Sequence, residues 1–167
     1  AIWRVLAGGD SLVLLPTGAG KSLIYQFGSL LLPGRAVVVD PILALIDDQL
    51  FNLQEMGIDR ATGITSRESI EGTVPARLRA LARGDYLFCF VAPERFQTQP
   101  FRSALQTLRQ HSVVNLIVID EAHCVSEWGH DFRTAYLNIA RIARQYGEDD
   151  SGRPPPLVGL TGTASRA

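Results

Sequence analysis

Two short runs hold the residue types that phosphate chemistry needs. The first is Leu14-Leu15-Pro16-Thr17-Gly18-Ala19-Gly20-Lys21-Ser22. Gly18 and Gly20 tolerate positive φ and lack a Cβ, so successive backbone N–H groups can wrap a phosphate chain there. A helix opening at Lys21 adds unpaired N–H donors and the positive end of its dipole. Lys21 is then placed to reach the β- and γ-phosphates, and the Ser22 hydroxyl to ligate Mg²⁺. Lys21 is the only lysine among sixteen basic residues, and a compact, mobile ammonium suits such a loop. The general pattern G-x-x-x-x-G-K-[ST] has glycine where this chain has Leu15. An ordinary Gly-rich turn is the competing reading of a bare Gly-Lys-Ser; the strand before it and the helix after it weigh against that reading.

The second run is Asp120-Glu121-Ala122-His123, directly after the apolar Leu116-Ile117-Val118-Ile119. A strand end fixes a carboxylate, so Asp120 can hold Mg²⁺ directly or through water. Glu121 can orient and deprotonate a water that attacks a γ-phosphate. A solvated acidic pair at a strand end is the plain alternative, and the phosphate loop about a hundred residues upstream favours catalysis.

These groups need a frame, and the chain supplies one by alternation. Strands are expected at Ser11–Leu15, Arg35–Asp40, Asp59–Ile64, Tyr86–Val91, Val113–Ile119 and Leu157–Leu160, from their β-branched and apolar runs. Helical periodicity occupies the intervals: the end of one helix over Ala1–Ala7, then Lys21–Leu32, Pro41–Met56, Pro75–Arg83, Pro100–Gln110 and Thr134–Tyr146. Leu43, Ile46, Leu50 and Leu53 form one such stripe. The pattern is α/β, with a mostly parallel central sheet and helices on both faces. Ligands of such sheets gather at the carboxyl ends of the strands. The Gly-rich loop, Asp40, Pro93, Asp120-Glu121 and Thr161 all fall on that edge.

A chain of 167 residues is one domain with a substantial core, and its 46% hydrophobic and 20% charged residues are those of a globular protein. No apolar run is long enough to span a membrane, and no membrane partner is expected. Cys89 and Cys124 are too few for a metal site of their own, and Cys89 lies in a strand pattern, as a buried reduced thiol would. A cytoplasmic protein, in a bacterial cytoplasm or nucleoid, fits best. The net charge of −1 neither supports nor excludes nucleic acid, which needs a local basic patch. The chain starts without Met inside a helical pattern, and reads as a domain cut from something longer.

Taken together, Gly-Lys-Ser and Asp-Glu-Ala-His resemble motifs I and II of superfamily 2 helicases. The run Cys124-Val125-Ser126-Glu127-Trp128-Gly129-His130-Asp131-Phe132-Arg133 resembles the aromatic-rich loop of RecQ-family DNA helicases. Pro16 to Gln26, Pro41 to Gln49 (motif Ia), Ala92-Pro93-Glu94-Arg95 (motif Ib) and Leu160-Thr161-Gly162-Thr163-Ala164 (motif III) extend the likeness over nearly the whole chain. The resemblance implies a P-loop NTPase (RecA-like) three-layer fold, with ATP and Mg²⁺ as cofactors. It further implies the first motor domain of an enzyme that couples hydrolysis to 3′→5′ movement along single-stranded DNA and to unwinding. By this similarity Thr17, Gly18, Ala19, Gly20, Lys21 and Ser22 bind nucleotide, Ser22 and Asp120 hold the metal, and Lys21, Asp120, Glu121 and His123 serve catalysis. His123 is expected to bridge the nucleotide site to Thr161 and Thr163. Trp128, Phe132 and Arg133 are the expected DNA-sensing group, through base stacking and phosphate or cation–π contacts; core packing is the ordinary fate of such aromatics. Arg95 and Ser66 are candidate DNA phosphate contacts. The implied partners are single-stranded or partially duplex DNA and a second RecA-like domain of the same chain.

The sequence departs from the family at two places. Asp40 stands where relatives usually have Ser, an acid that either weakens a DNA phosphate contact or faces away. Gly162 stands where Ala is usual in motif III. Two other outputs stay open: a translocase within a DNA-processing or defence complex that does not separate strands, and a nucleotide-gated binding module.

Overall fold

The computed structural model describes residues 1–16, 18–65, 73–124 and 130–162, with residues 130–137 described by their backbone alone. Six strands form one sheet: β1 (Ser11–Leu14), β2 (Arg35–Val39), β3 (Ala61–Ile64), β4 (Phe88–Val91), β5 (Val114–Ile119) and β6 (Leu157–Thr161). Their order is β1-β6-β5-β2-β4-β3, and every pairing is parallel. The helices are α1 (Ile2–Leu6), α2 (Lys21–Leu30), α3 (Leu43–Glu55), α4 (Thr73–Ala82), α5 (Pro93–Phe96), α6 (Gln99–Leu108) and α7 (His130–Gly147).

The inner strands are almost wholly apolar, with Arg35, Asn115 and Thr161 as the exceptions near their ends, because both faces of the sheet are covered. Period-2 alternation divides them between two cores. Val37, Val39, Ile117 and Ile119 face a layer formed by α4, α5, α6 and α7, with Leu81, Phe96, Phe101, Leu105 and Ile142. Ala36, Val38, Leu116 and Val118 face α1, α2 and α3, with Val5, Ile24, Tyr25, Ile46 and Leu53. The expected stripe on α3 is present: Ile46 and Leu53 are buried, and Leu43 and Leu50 pack against that core.

Polar ties set the helix ends. The Asn115 amide on β5 donates to the carbonyls of Ser29 (3.2 Å) and Leu32 (3.1 Å), and its Oδ1 accepts from the Ser29 hydroxyl at 3.1 Å. These bonds satisfy the Leu32 carbonyl just past α2 and add a second donor to the Ser29 carbonyl, which also accepts from Leu32 N–H at 3.2 Å. The chain then reverses at Gly34 (φ 122°), where a Cβ would lie 2.6 Å from the Val113 carbonyl oxygen. Arg35 and Arg60 both donate to the Gly84 carbonyl, at 2.8 and 3.1 Å, just past α4, where cations favour the negative end of the helix dipole.

Two elements differ from the sequence expectation. The single turn α5 follows β4 with Pro93 in its first turn, a length too short to show any periodicity. Helix α7 starts at His130, four residues before Thr134, so Phe132 and Arg133 stand on a helix and not in a loop. His-Asp-Phe-Arg carries no apolar repeat, which is why the pattern alone places the start later.

Candidate active site

The site is assembled at the carboxyl edge of the sheet, where β1 ends in the Gly-rich loop, β2 in Asp40, β4 in Pro93, β5 in Asp120-Glu121 and β6 in Thr161. Gly18 and Gly20 both adopt φ 80°, and Gly20 is the left-handed residue from which α2 starts. That conformation is open to glycine at no steric cost, so the loop can turn its N–H groups inward. The amide of Ala19 closes the turn onto the Pro16 carbonyl at 3.1 Å, and Leu15 N–H joins the loop to Thr161 at 3.0 Å. Leu15 itself packs against the core around Ile24 and Tyr25, an apolar use of the position where the general pattern has glycine.

Lys21 opens α2 and reaches across to β5. Its ammonium lies 3.0 Å from Glu121 Oε1, with both side chains largely buried. The second oxygen of Glu121 lies 3.0 Å from His123 Nδ1, which is also 3.2 Å from the Thr161 hydroxyl. A carboxylate only accepts, so Nδ1 carries the hydrogen in this arrangement. The other ring nitrogen of His123 faces the Cys124 thiol at 3.8 Å. Lys21, Glu121, His123 and Thr161 therefore form one connected chain drawn from three separate segments: the start of α2, the turn after β5 and the end of β6.

Glu121 is held in an unusual backbone position. Its φ is 47°, and among the described residues it is the one non-glycine with positive φ. Three hydrogen bonds retain the turn: Glu121 N–H to Asp120 Oδ1 (2.9 Å), Ala122 N–H to the Leu160 carbonyl (2.8 Å) and Cys124 N–H to the Glu121 carbonyl (2.9 Å). Strain of this kind, about 1–3 kcal/mol, persists where surrounding structure over-determines it. Here it turns the Glu121 side chain to Lys21.

Two buried carboxyls flank this pair. Burial pushes the Asp120 carboxyl above the usual carboxylate range, against the opposing hydrogen bond from Glu121 N–H and the charge of Lys21. Asp40 is 1% exposed and accepts from Ile42 N–H at 2.9 Å. Burial raises its carboxyl to about 7, opposed by that bond and helped by the charges of Asp120 and Glu121. Asp40 thus faces inward and fixes the turn into α3, the second of the two orientations open from sequence. Hard oxygen donors on Ser22 and Asp120 suit Mg²⁺, which takes few protein ligands and fills its shell with phosphate and water oxygens. No group of three or more His, Cys, Asp or Glu that could hold a metal occurs among the described residues.

The remaining expected residues divide in two. Arg95 lies on α5 at the same edge, partly buried, and His111 is exposed, far from the site in the turn before β5. Thr17, Ser66, Trp128 and Thr163, and the side chains of Phe132 and Arg133, lie outside the described residues. Sequence reading missed one feature beside the site. The Tyr25 hydroxyl and the Gln26 amide of α2 both donate to Gln49 Oε1 of α3, at 3.1 and 3.3 Å. The signal was present in Gln26 and Gln49, polar residues at core-facing positions of two apolar helices.

A parallel α/β sheet with a Gly-rich loop, an invading lysine and a carboxylate pair at its carboxyl edge defines a P-loop NTPase. A profile of the DEAD/DEAH box helicases matches residues 1–167, and the chain belongs to that family. It is 36% identical over 165 residues to the probable ATP-dependent DNA helicase RecS of Bacillus subtilis (strain 168), covering 99% of this chain and 31% of that protein. It is 38% identical over 152 residues to the ATP-dependent DNA helicase RecQ of the same organism, covering 91% of this chain and 24% of that one. The chain therefore spans less than a third of the length of these relatives. Among solved structures, the DUF1998 helicase MrfA bound to DNA and AMPPNP superposes with a TM-score of 0.72 over 99% of this chain and 23% of that one, at 23% identity; this is a likeness of fold. Among the described residues, no helix is long and apolar enough to cross a membrane.

Proposed function

We propose that residues 1–167 are a single RecA-like domain, the first motor domain of a RecQ-like, ATP-dependent 3′→5′ DNA helicase. The observation that carries this reading is the linkage of Lys21, Glu121, His123 and Thr161 at the edge where the Gly-rich loop ends. Gly18, Ala19 and Gly20, with Thr17, cradle the phosphates, and Lys21 meets the negative charge that grows on them. Ser22 and Asp120 would hold Mg²⁺, which on binding neutralises the β- and γ-oxygens. Glu121 orients the attacking water and takes its proton. Its two oxygens are aimed by Lys21 and His123, and His123 passes the state of that carboxylate to Thr161 on β6. Trp128, Phe132 and Arg133, a few residues past Glu121, sense single-stranded DNA, with Arg95 and Ser66 on the phosphate track. A second RecA-like domain closes over the same edge, in the cytoplasm or nucleoid where the DNA lies.

ATP hydrolysis by the full protein, alone and with single-stranded DNA, duplex DNA or RNA, tests the reading. Stimulation by single-stranded DNA, abolished in both Lys21→Ala and Trp128→Ala, is the expected result. Hydrolysis indifferent to every nucleic acid would overturn it. Stimulation by DNA without strand displacement would identify a translocase of a DNA-processing or defence complex instead.

A further inference from the structure

The tie between α2 and α3 sits where it can control the nucleotide site. Tyr25 is four residues after Lys21, and Gln26 four residues after Ser22. At 3.6 residues per turn each donor lies one turn beyond a phosphate- or metal-directed residue and on nearly the same face of α2. Both donors end on a single acceptor atom, Gln49 Oε1, at 3.1 and 3.3 Å. A roll of α2 about its axis would carry Lys21 and Ser22 sideways and stretch both bonds together. Tyr25 is fully buried and Gln26 nearly so, so water does not replace the lost acceptor at low cost. The Tyr25 ring is further set edge-on against Phe90 of β4, at 6.4 Å between centroids. The acceptor's own helix is anchored at its start by Asp40, through Ile42 N–H. Gln49 therefore joins the helix that opens at the phosphate loop to a helix pinned at the end of β2.

We propose that Gln49 is a positioning residue for the nucleotide site, holding the roll of α2 through Tyr25 and Gln26 so that Lys21 and Ser22 meet the phosphates and Mg²⁺ in register. The inference rests on the proposed nucleotide-binding role of the Gly-rich loop and names a residue that acts on it from outside. Burial and the nearby charges of Asp120 and Asp40 hold the Tyr25 hydroxyl in its protonated, donating form, as the tie requires.

The test is equilibrium binding of a fluorescent ADP analogue, with and without Mg²⁺, to the full protein, three single variants and the Tyr25→Phe/Gln49→Met double variant. Gln49→Met keeps the length and removes the acceptor; Gln49→Glu keeps an acceptor oxygen; Tyr25→Phe removes one donor and leaves the ring. Two hydrogen bonds of ordinary net strength are lost in Gln49→Met, and only the part felt as misalignment of Lys21 and Ser22 reaches the nucleotide, which predicts an increase in the Kd of the Mg²⁺ complex of about three- to tenfold. The magnesium-free affinity should change by less, because the ammonium of Lys21 adapts more readily than a metal ligand does. Gln49→Glu should restore the wild-type Kd to within about twofold, and Tyr25→Phe should add little on top of Gln49→Met. Thermal melts run beside the titrations separate folding from alignment. A Gln49→Met variant that melts earlier, yet binds the Mg²⁺ complex like wild type well below its melting point, would show a tie that only stabilises, and would overturn the proposal. Absence of nucleotide binding by the wild-type chain would instead overturn the functional reading on which it rests.

Discussion

Asp40→Asn isolates the electrostatic cost of a buried acid at the end of β2. Burial raises the Asp40 carboxyl from its ordinary 3.8 to about 7, with Ile42 N–H opposing and the Asp120 and Glu121 charges assisting. The folded chain therefore keeps a proton that the unfolded chain releases above pH 4. Between pH 4 and 7 the native state binds more protons than the unfolded state, so stability falls as pH rises through that window and levels off above it. The gap corresponds to about 4 kcal/mol at 1.36 kcal/mol per pH unit, and relaxation around the charge brings the expected loss to roughly 2–4 kcal/mol. Asparagine has nearly the same shape, keeps an Oδ1 for Ile42 N–H and cannot ionise. Urea unfolding of both proteins, followed by far-UV circular dichroism without Mg²⁺ or nucleotide, measures the difference. Titrating groups that do not interact with Asp40 cancel in the comparison to first order. The two proteins should be close in stability only near pH 4 and below; Asp40→Asn should already lead by more than a third of the full difference at pH 5 and by roughly 2–4 kcal/mol at pH 8. Parallel stability curves from pH 5 to 8 would refute the reasoning and place the carboxylate in contact with water.

Three further substitutions test the frame and the site. Asn115→Ala removes the donor to the Leu32 carbonyl, the acceptor of the Ser29 hydroxyl and one of two donors to the Ser29 carbonyl, which keeps Leu32 N–H; a loss of about 1–3 kcal/mol is expected, lowering the Tm by several degrees in a thermal melt. In Gly34→Ala the new Cβ would lie 2.6 Å from the Val113 carbonyl oxygen at a φ of 122°, which predicts at least about 2 kcal/mol of destabilisation by denaturant titration. Thr161→Val removes the hydroxyl beside His123 Nδ1 and keeps the shape; turnover should fall about tenfold in an ATPase assay while nucleotide affinity stays near wild type.

The sequence by itself determined the local pieces. Glycines at 18 and 20 mark a turn that needs positive φ, the β-branched runs mark strands, and apolar spacing marks α3 and α6. Alternation of the two then leaves a parallel sheet as the economical frame and assigns the chemical residues to its carboxyl edge. Those features are encoded within a few residues, where backbone sterics and periodicity act. Short or aperiodic segments escaped for the same reason: α5 has four residues, and the first turn of α7 has no apolar repeat.

Only the tertiary structure decided which distant groups meet. The strand order β1-β6-β5-β2-β4-β3 sets β5 and β6 side by side, and so brings His123 to Thr161. The 3.0 Å approach of Lys21 to Glu121 joins residues a hundred positions apart, through the packing of α2 on the sheet. Whether Asp40 turned inward or outward, and whether Gln49 found Tyr25 and Gln26, depended on how the layers seat on one another. A polar side chain on an apolar helix declares that it must find a partner; which partner is fixed only when the core closes around it.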